Sequence, residues 1–271
     1  MASYGFKGCR LNYDLRGSGQ DLVFLHGLGA DRRQAMAATH SLQGCRVLCI
    51  DMPGHGDSVS SDQSLFSFNA FADAVVALLD ELDIDSAVWG GISMGSGIAL
   101  NAALRYPNRV DALLLVRPAW LDTPALPQLG IISEIGEWIT AKGVEEARDR
   151  LVETTVYKRA LQLSQLCADS IAGLLTRSQA TAAAGVLQAM VRDQPFETMD
   201  DLVHLDIPVL VFGNKNDPLH PKELAIRLSS GLSRPRYIDL PARYLEPEKH
   251  ATLLLESTQE FVNTLAITTN T

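Results

Sequence analysis

The sequence predicts an α/β fold, with helices packed on both faces of a mostly parallel sheet. Short apolar runs alternate with segments of helical periodicity along most of the chain, and this alternation favours a parallel sheet. Between residues 118 and 203 only helical patterns occur, and the alternation then resumes. We therefore expect a core formed by residues 1–117 and 204–271, with residues 118–203 inserted as a helical cap.

The elements before the cap follow from their apolar patterns. Buried strands of a parallel sheet are continuous apolar runs, and two such runs, at 22–27 and 46–51, end in polar or glycine residues. The segment 67–82 places its apolar residues on one helical face. The remaining elements of this half are a strand at 86–91, a helix from 94 that stops at Pro107 and a strand at 110–116.

The cap and the second half of the core are predicted in the same way. Amphipathic segments predict cap helices at 131–143, 145–163, 168–177 and 181–193. The core then continues with a strand at 207–213, a helix at 222–228, a strand at 236–240 and a closing helix at 251–265.

Composition and charge exclude several classes of function. The 271 residues are 46% hydrophobic and carry a formal net charge of −9, whereas nucleic acids and anionic membranes favour cationic surfaces. No apolar run reaches the roughly 20 residues of a membrane span, and the N-terminus lacks the pattern of a secretion signal. We expect a cytoplasmic protein that binds neither nucleic acid nor membrane.

The cysteines suit a reducing compartment. The four of them show neither a C-x-x-C pair nor metal-ligand spacing with histidine. Cys45 and Cys49 lie on one side of a predicted strand, and we interpret them as small buried hydrophobes.

The pattern G-x-S-x-G places Ser93 between Gly91 and Gly95, where a predicted strand meets a predicted helix. In so tight a turn, side chains two residues either side of a nucleophile would clash, and glycine is needed at both positions. The helix N-terminus adds its dipole and free N–H groups where negative charge would develop. Ser93 is therefore the candidate nucleophile.

A serine nucleophile needs a base, and six histidines are available. His220 lies only three residues after Asp217, in a loop between two prolines. His250 follows the last predicted strand and opens the final helix, where a loop could bring it over the strand edge beside Ser93. We therefore predict His250 as the base.

The base needs an orienting acid, which should follow a strand on the way to His250. Asp217 comes just beyond the strand at 207–213 and fits this requirement, although an aspartate before proline also forms turns. Glu246 and Glu248 are alternatives close to His250, which we interpret as solvated surface charges.

The last requirement is a pair of backbone N–H groups that bind an oxyanion. Met94, directly after the candidate nucleophile, supplies one. Leu28 is the expected source of the other, because Gly27 and Gly29 let the main chain turn inward without obstruction.

Together these motifs resemble the α/β-hydrolase superfamily. They occur in the order HGLG at 26–29, DMPGHGDS at 51–58, GISMG at 91–95 and GNKNDPLHP at 213–221, with His250 near the end. The resemblance implies an eight-stranded, mostly parallel sheet, no cofactor, and a triad of Ser93, Asp217 and His250.

Two positions depart from that resemblance. Lys249 precedes the predicted base where relatives often have glycine, and Arg117 is unusual at the end of a strand. Arg117 could bind an acidic or carbonyl-rich substrate group, or form a salt bridge to the cap or a neighbouring loop. His26 and Trp120 are further candidates for substrate contact, although a tryptophan here is more simply core.

The sequence thus predicts a serine hydrolase that cleaves a small-molecule ester, thioester or lactone through an acyl-enzyme on Ser93. The same triad could also serve C–C bond hydrolysis, amide cleavage or a lyase reaction, because one scaffold hosts many chemistries. A ligand receptor on the same fold is the alternative from another class.

Overall fold

The structure, a computed structural model, describes residues 2–268, with side chains up to residue 265. In chain order the strands are β1 (Ala2–Phe6), β2 (Cys9–Gly17), β3 (Gln20–Leu25), β4 (Cys45–Ile50), β5 (Ala87–Ile92), β6 (Val110–Val116), β7 (Val209–Asn214) and β8 (Pro235–Leu240).

The eight strands form one sheet in the order β1-β2-β4-β3-β5-β6-β7-β8. The pairs β1–β2 and β2–β4 are antiparallel, and every other pair is parallel. All six residues of β5 and of β7 are buried, as expected for strands covered on both faces. The predicted α/β fold with a mostly parallel sheet is confirmed.

Helices connect and cover the strands. Those outside the predicted cap are α1 (Arg32–Thr39), α2 (Phe68–Glu81), α3 (Met94–Arg105), α9 (Lys222–Gly231) and α10 (Pro247–Thr268). The segment predicted as a cap, which keeps that name below, contains α4 (Gly130–Lys142), α5 (Val144–Glu153), α6 (Thr155–Leu163), α7 (Gln165–Thr176) and α8 (Gly185–Val191). The cap helices all lie between β6 and β7 in the chain. Over residues 2–268, no helix is both long and apolar enough to cross a membrane.

Alternate residues of the central strands point to two apolar cores. Trp89 of β5 packs in a large core with residues of α2, α3 and the cap. Its neighbour Val88 packs in a smaller core against α1 and α10. Cys45 and Cys49 lie buried in the smaller core without a disulfide, which confirms their interpretation as small hydrophobes.

The cap departs from its prediction in several places. Helix α7 begins at Gln165 instead of residue 168, and α8 begins at Gly185 instead of residue 181. The pattern at 145–163 predicts a single helix, whereas the structure has two, α5 and α6. The break occurs at Thr154, whose backbone is extended and whose hydroxyl accepts the N–H of Tyr157. A threonine in this position is a strong helix N-cap, and it starts a new helix instead of continuing the old one.

The closing helix begins earlier than predicted. It starts at Pro247 instead of residue 251, and proline is well suited to the first turn, where its missing N–H costs no hydrogen bond. His250 therefore lies in the first turn of α10 and not in a loop before it.

Candidate functional site

Ser93 occupies a sharp turn between β5 and α3. Its backbone is left-handed, with φ 58° and ψ −109°, which is rare for a residue other than glycine. A Cβ atom on Gly91 would lie 2.5 Å from the carbonyl carbon of Gly95, and one on Gly95 would lie 2.4 Å from the carbonyl oxygen of Leu25. The predicted steric need for both glycines is confirmed.

The histidine beside Ser93 is His220. Its Nε2 atom is 2.8 Å from the Ser93 hydroxyl oxygen. Its Nδ1 atom is 3.0 Å from Oδ1 of Asp217, although the ring N–H is not aligned straight at that oxygen. Ser93, His220 and Asp217 thus form one connected group, in which the carboxylate is fully buried and the imidazole nearly so.

The structure corrects the expectation for His250. The Nδ1–H group of His250 donates to the carbonyl oxygen of Pro241 at 2.9 Å, and no hydrogen bond joins it to Ser93 among residues 2–268. Helix α10 starts early, so that His250 belongs to its first turn and not to a loop that could reach Ser93. Glu246 is exposed and pairs with Lys249, in line with its interpretation as a surface charge.

The loop between β7 and α9 carries both the acid and the histidine. Asn216 turns the chain with a left-handed φ of 52°. Asp217 Oδ1 then accepts the backbone N–H groups of Leu219 and His220 at 3.1 and 3.2 Å, a turn typical of aspartate. The usable signal in the sequence was the motif DPLHP itself, because two prolines stiffen a turn that brings positions 217 and 220 together.

Charge and burial set the protonation of this group. Burial by itself raises the pKa of the Asp217 carboxyl, but His220 and Arg117 outweigh it and hold that pKa well below its ordinary value. Burial lowers the pKa of His220 below its ordinary value; Asp217 opposes this change, and Arg117 adds to it. A neutral imidazole beside an ionised carboxylate can accept a proton from serine.

The expected oxyanion donors are free. The N–H groups of Leu28 and Met94 donate to no protein acceptor in the described part of the chain. The N–H of Gly27, by contrast, donates to Oε1 of Gln34 at 2.8 Å. Gln34 therefore holds the turn after β3, a role that no motif in the sequence indicates. The assignment of Leu28 and Met94 as donors stays a prediction.

A cavity of about 250 Å³ opens beside Ser93. The core contributes His220 and Leu28 to its wall, and the cap contributes apolar side chains such as Ile132 and Leu174. Within residues 2–268, no three His, Cys, Asp or Glu side chains converge so as to hold a metal ion.

Two of the three candidates for substrate contact line this cavity. Arg117 does so while its Nη1 donates to Oδ2 of Asp217 at 3.3 Å. This contact agrees with the interpretation of Arg117 as a salt bridge to a neighbouring loop, and its binding of a substrate group stays a prediction. Trp120 also lines the cavity, and its indole N–H donates to the carbonyl of Met190 in the cap at 2.8 Å.

His26 is placed elsewhere. It is fully buried, and its Nε2 accepts the backbone N–H of Met52 at 3.1 Å. Burial lowers the pKa of this imidazole, and the ring packs 4.9 Å from that of His55. The expectation of a substrate contact is wrong for His26, because the strand end turns its side chain into the core.

Comparisons with known proteins agree with the fold. The sequence profile of the alpha/beta hydrolase fold family matches residues 22–244. A pimeloyl-[acyl-carrier protein] methyl ester esterase of Shewanella sp. (strain MR-7) is 34% identical over 40% of this chain and 38% of that protein. For it and two other curated relatives, this chain matches only 30% to 41% of the relative's length.

Two further relatives are similar over most of the chain. A 2-hydroxymuconate semialdehyde hydrolase of Pseudomonas sp. (strain CF600) is 26% identical over 84% of this chain and 81% of that protein. A malate-bound thermophilic esterase from Thermogutta terrifontis superposes with a TM-score of 0.73 at 21% identity, covering 97% of each chain.

Proposed function

The chain belongs to the α/β hydrolase fold family, and we propose that within this family it is a serine hydrolase acting on a small carboxylic ester, thioester or lactone. The observation that carries the proposal is the 2.8 Å contact between Nε2 of His220 and the hydroxyl of Ser93. A buried serine at a left-handed turn, with a neutral imidazole on its hydroxyl, is the arrangement that activates a nucleophile.

The proposed reaction has two halves. Ser93 Oγ attacks the substrate carbonyl while His220 Nε2 takes the hydroxyl proton, and the N–H groups of Leu28 and Met94 bind the resulting oxyanion. The imidazolium of His220 then gives its proton to the leaving alkoxide or thiolate, leaving an acyl-enzyme. Water attacks the acyl-enzyme with His220 as the base, and the acid leaves as Ser93 regains its proton.

Asp217 orients and stabilises the imidazolium in both halves. Its carboxylate keeps its charge because its pKa is held well below the ordinary value. The 3.0 Å contact with Nδ1 leaves Nε2 of His220 as the proton-accepting atom. In this proposal the base is His220, and His250 has no part in the chemistry.

The dimensions of the cavity favour a small substrate. About 250 Å³ beside Ser93 is slightly below the range of roughly 300–1,000 Å³ that is usual for drug-sized ligands. The similarity to a methyl ester esterase is consistent with ester cleavage.

A second candidate function is hydrolysis of a C–C bond. Its specific support is the similarity to a 2-hydroxymuconate semialdehyde hydrolase, which extends over 84% of this chain. Loss of 2-hydroxymuconate semialdehyde, followed by its absorbance, would distinguish this activity from simple esterase activity.

The test of the proposed function compares three variants on p-nitrophenyl acetate. Ser93→Ala and His220→Ala should each lose activity by about 10⁴-fold or more, as expected when one member of a cooperating triad is removed. His250→Gln should keep activity within about threefold, because its amide can still donate to Pro241. A fluorophosphonate probe should label the wild type and not Ser93→Ala.

Thermal unfolding of each variant serves as the control for folding. Undiminished turnover by Ser93→Ala would exclude Ser93 as the nucleophile. The reverse pattern for the histidines, with His250 essential and His220 dispensable, would exclude His220 as the base.

A further inference from the structure

The cavity beside Ser93 contains a buried guanidinium that is only partly satisfied. Arg117 follows β6, and its side chain is 4% exposed. Its Nη1 donates to Asp217, but its Nε has no hydrogen-bond partner among residues 2–265. Its backbone has a left-handed φ of 50°, a strained conformation for so large a residue. The fold therefore keeps a long cationic side chain beside the cavity, although its burial and its strained backbone both lower the stability of the protein.

A second guanidinium lines the same cavity. Arg243 lies in the loop after β8 and is half-buried. No carboxylate within residues 2–265 forms a salt bridge with it, and its guanidinium packs on the face of the adjacent Tyr244 ring, 5.3 Å from the ring centre. A guanidinium left without an acidic partner in a partly enclosed wall is available to a ligand.

The charges around these two groups do not cancel. The Asp217 carboxylate is the buried negative charge of this region, and it contacts His220 and Arg117. Arg243 forms no salt bridge with it, but its charge also helps to lower the pKa of Asp217. Asp169 also lines the cavity, but its side chain is at the exposed rim and accepts from Gln165. Two arginines and one buried carboxylate leave about one uncompensated positive charge, in a protein whose net charge is −9.

We propose that the substrate carries a free carboxylate, which binds Arg243 and the unpaired Nε of Arg117 while Ser93 attacks an ester elsewhere in the molecule. A guanidinium matches a carboxylate in shape and charge. A phosphate carries close to two negative charges at neutral pH, more than the single uncompensated positive charge. The cavity volume of about 250 Å³ favours a short substrate, and a half-ester of a dicarboxylic acid combines a carboxylate with an ester at that size.

This inference rests on the proposed serine-hydrolase function, and a matched substrate series tests it. The monomethyl esters of succinic, glutaric and adipic acids are compared with the methyl esters of butanoic, pentanoic and hexanoic acids, which have the same chain lengths without the carboxylate. Hydrolysis is followed in a pH-stat, and Ser93→Ala provides the background rate.

The expected result is a preference, in kcat/KM, of about tenfold or more for the half-ester at one chain length at least, equivalent to ~1.4 kcal/mol. Arg243→Gln should abolish this preference. Arg234→Gln removes the same charge from an exposed position and should leave the preference unchanged. A smaller preference at every length, or one that survives Arg243→Gln, overturns the proposal.

A binding experiment separates this proposal from the proposed function. Calorimetry measures millimolar monomethyl esters binding to Ser93→Ala, which needs no turnover, and then to the double variant that also carries Arg243→Gln. Binding that disappears in the double variant supports the carboxylate site even if the fluorophosphonate probe never labels Ser93. Labelling of Ser93 without binding of any half-ester overturns the carboxylate site and leaves the serine hydrolase standing.

Discussion

At the scale of single residues, the site depends on an acid and a histidine that share one five-residue turn. The carboxylate of Asp217 holds the backbone N–H of His220 through one oxygen and faces the ring Nδ1 of the same residue. A fixed turn of this kind positions the imidazole without the help of a distant loop. The place that the sequence suggested for the base, after β8, is occupied instead by Arg243 and Tyr244, which line the cavity.

Arg117 should tune the pH dependence of catalysis as a positioning residue. Burial, reinforced by Arg117, lowers the pKa of His220 below its ordinary value of 6.5. Because the base must be neutral, the acid limb of kcat/KM should have its midpoint below pH 6.5. Arg117→Gln removes a positive charge that disfavours the imidazolium, and the midpoint should move to higher pH. An uncharged ester is the substrate, so that only the enzyme titrates.

The same measurement on Arg234→Gln is the control, since it changes net charge equally at an exposed position. A merely structural role for Arg117 would lower activity at every pH without moving the midpoint. That outcome, or a shift to lower pH, would contradict the assigned role.

At the scale of elements, the close approach of α3 to β3 shapes the site. Gly95→Ala would place a Cβ atom 2.4 Å from the carbonyl oxygen of Leu25, at the end of the strand that leads to Leu28. Overpacking of this kind costs about 1–3 kcal/mol in the free energy of unfolding. It should also reduce kcat, because the helix that begins at Met94 must move away from Leu28. Urea unfolding and steady-state kinetics measure the two effects.

Gly130→Ala is the matched control for this substitution. A Cβ atom at Gly130 meets nothing within 4 Å, and its φ of −54° suits alanine. This variant should keep wild-type stability and activity. Equal stability and kcat for Gly95→Ala would contradict the view that contact between α3 and β3 sets the donor geometry.

The elements differ in how well the sequence predicts them, and the reasons are physical. The strand at 110–116 was predicted with the observed bounds, because a buried strand is a continuous apolar run with clear ends. The start of α10 was missed by four residues, because exposed polar residues before a helix carry no periodic signal. Because of this error, His250 was predicted to lie in a loop, whereas the structure has it in the first turn of α10.

The site residues could be predicted where local steric requirements fix the residue type. They could not be predicted where the conformation of a loop determines which side chain reaches Ser93. Ser93 follows from its two flanking glycines, and Asp217 from its position after a strand. The choice between His220 and His250 depends on the left-handed Asn216 and on hydrogen bonds within the turn, which the residue types alone leave open. Gln34 carries no motif, because its role is a tertiary contact with Gly27.

At the scale of the whole molecule, folding buries several histidines in the neutral form. Burial is the main cause that lowers the pKa of each one, to about 4 for His250. The others are His26, His55 and His220. In the unfolded chain these imidazoles titrate near pH 6.5. The free energy of unfolding should therefore depend on pH through these histidines, whether or not the protein catalyses the proposed reaction.

The sign of this term predicts loss of stability in mild acid. Below pH 6.5 the histidines of the unfolded chain become protonated, whereas the buried histidines of the folded protein stay neutral. The free energy of unfolding therefore falls as the pH drops, by at most about 1.4 kcal/mol per pH unit for each histidine. Asp217, whose pKa is lowered from 3.8, contributes only at lower pH.

Urea unfolding between about pH 7.5 and pH 5 should show this decline in the free energy of unfolding. His250→Gln should make it shallower, whereas His204→Gln, at an exposed position, should not. A free energy of unfolding that stays constant over this range would show that these histidines bind protons in the folded protein as readily as in the unfolded chain.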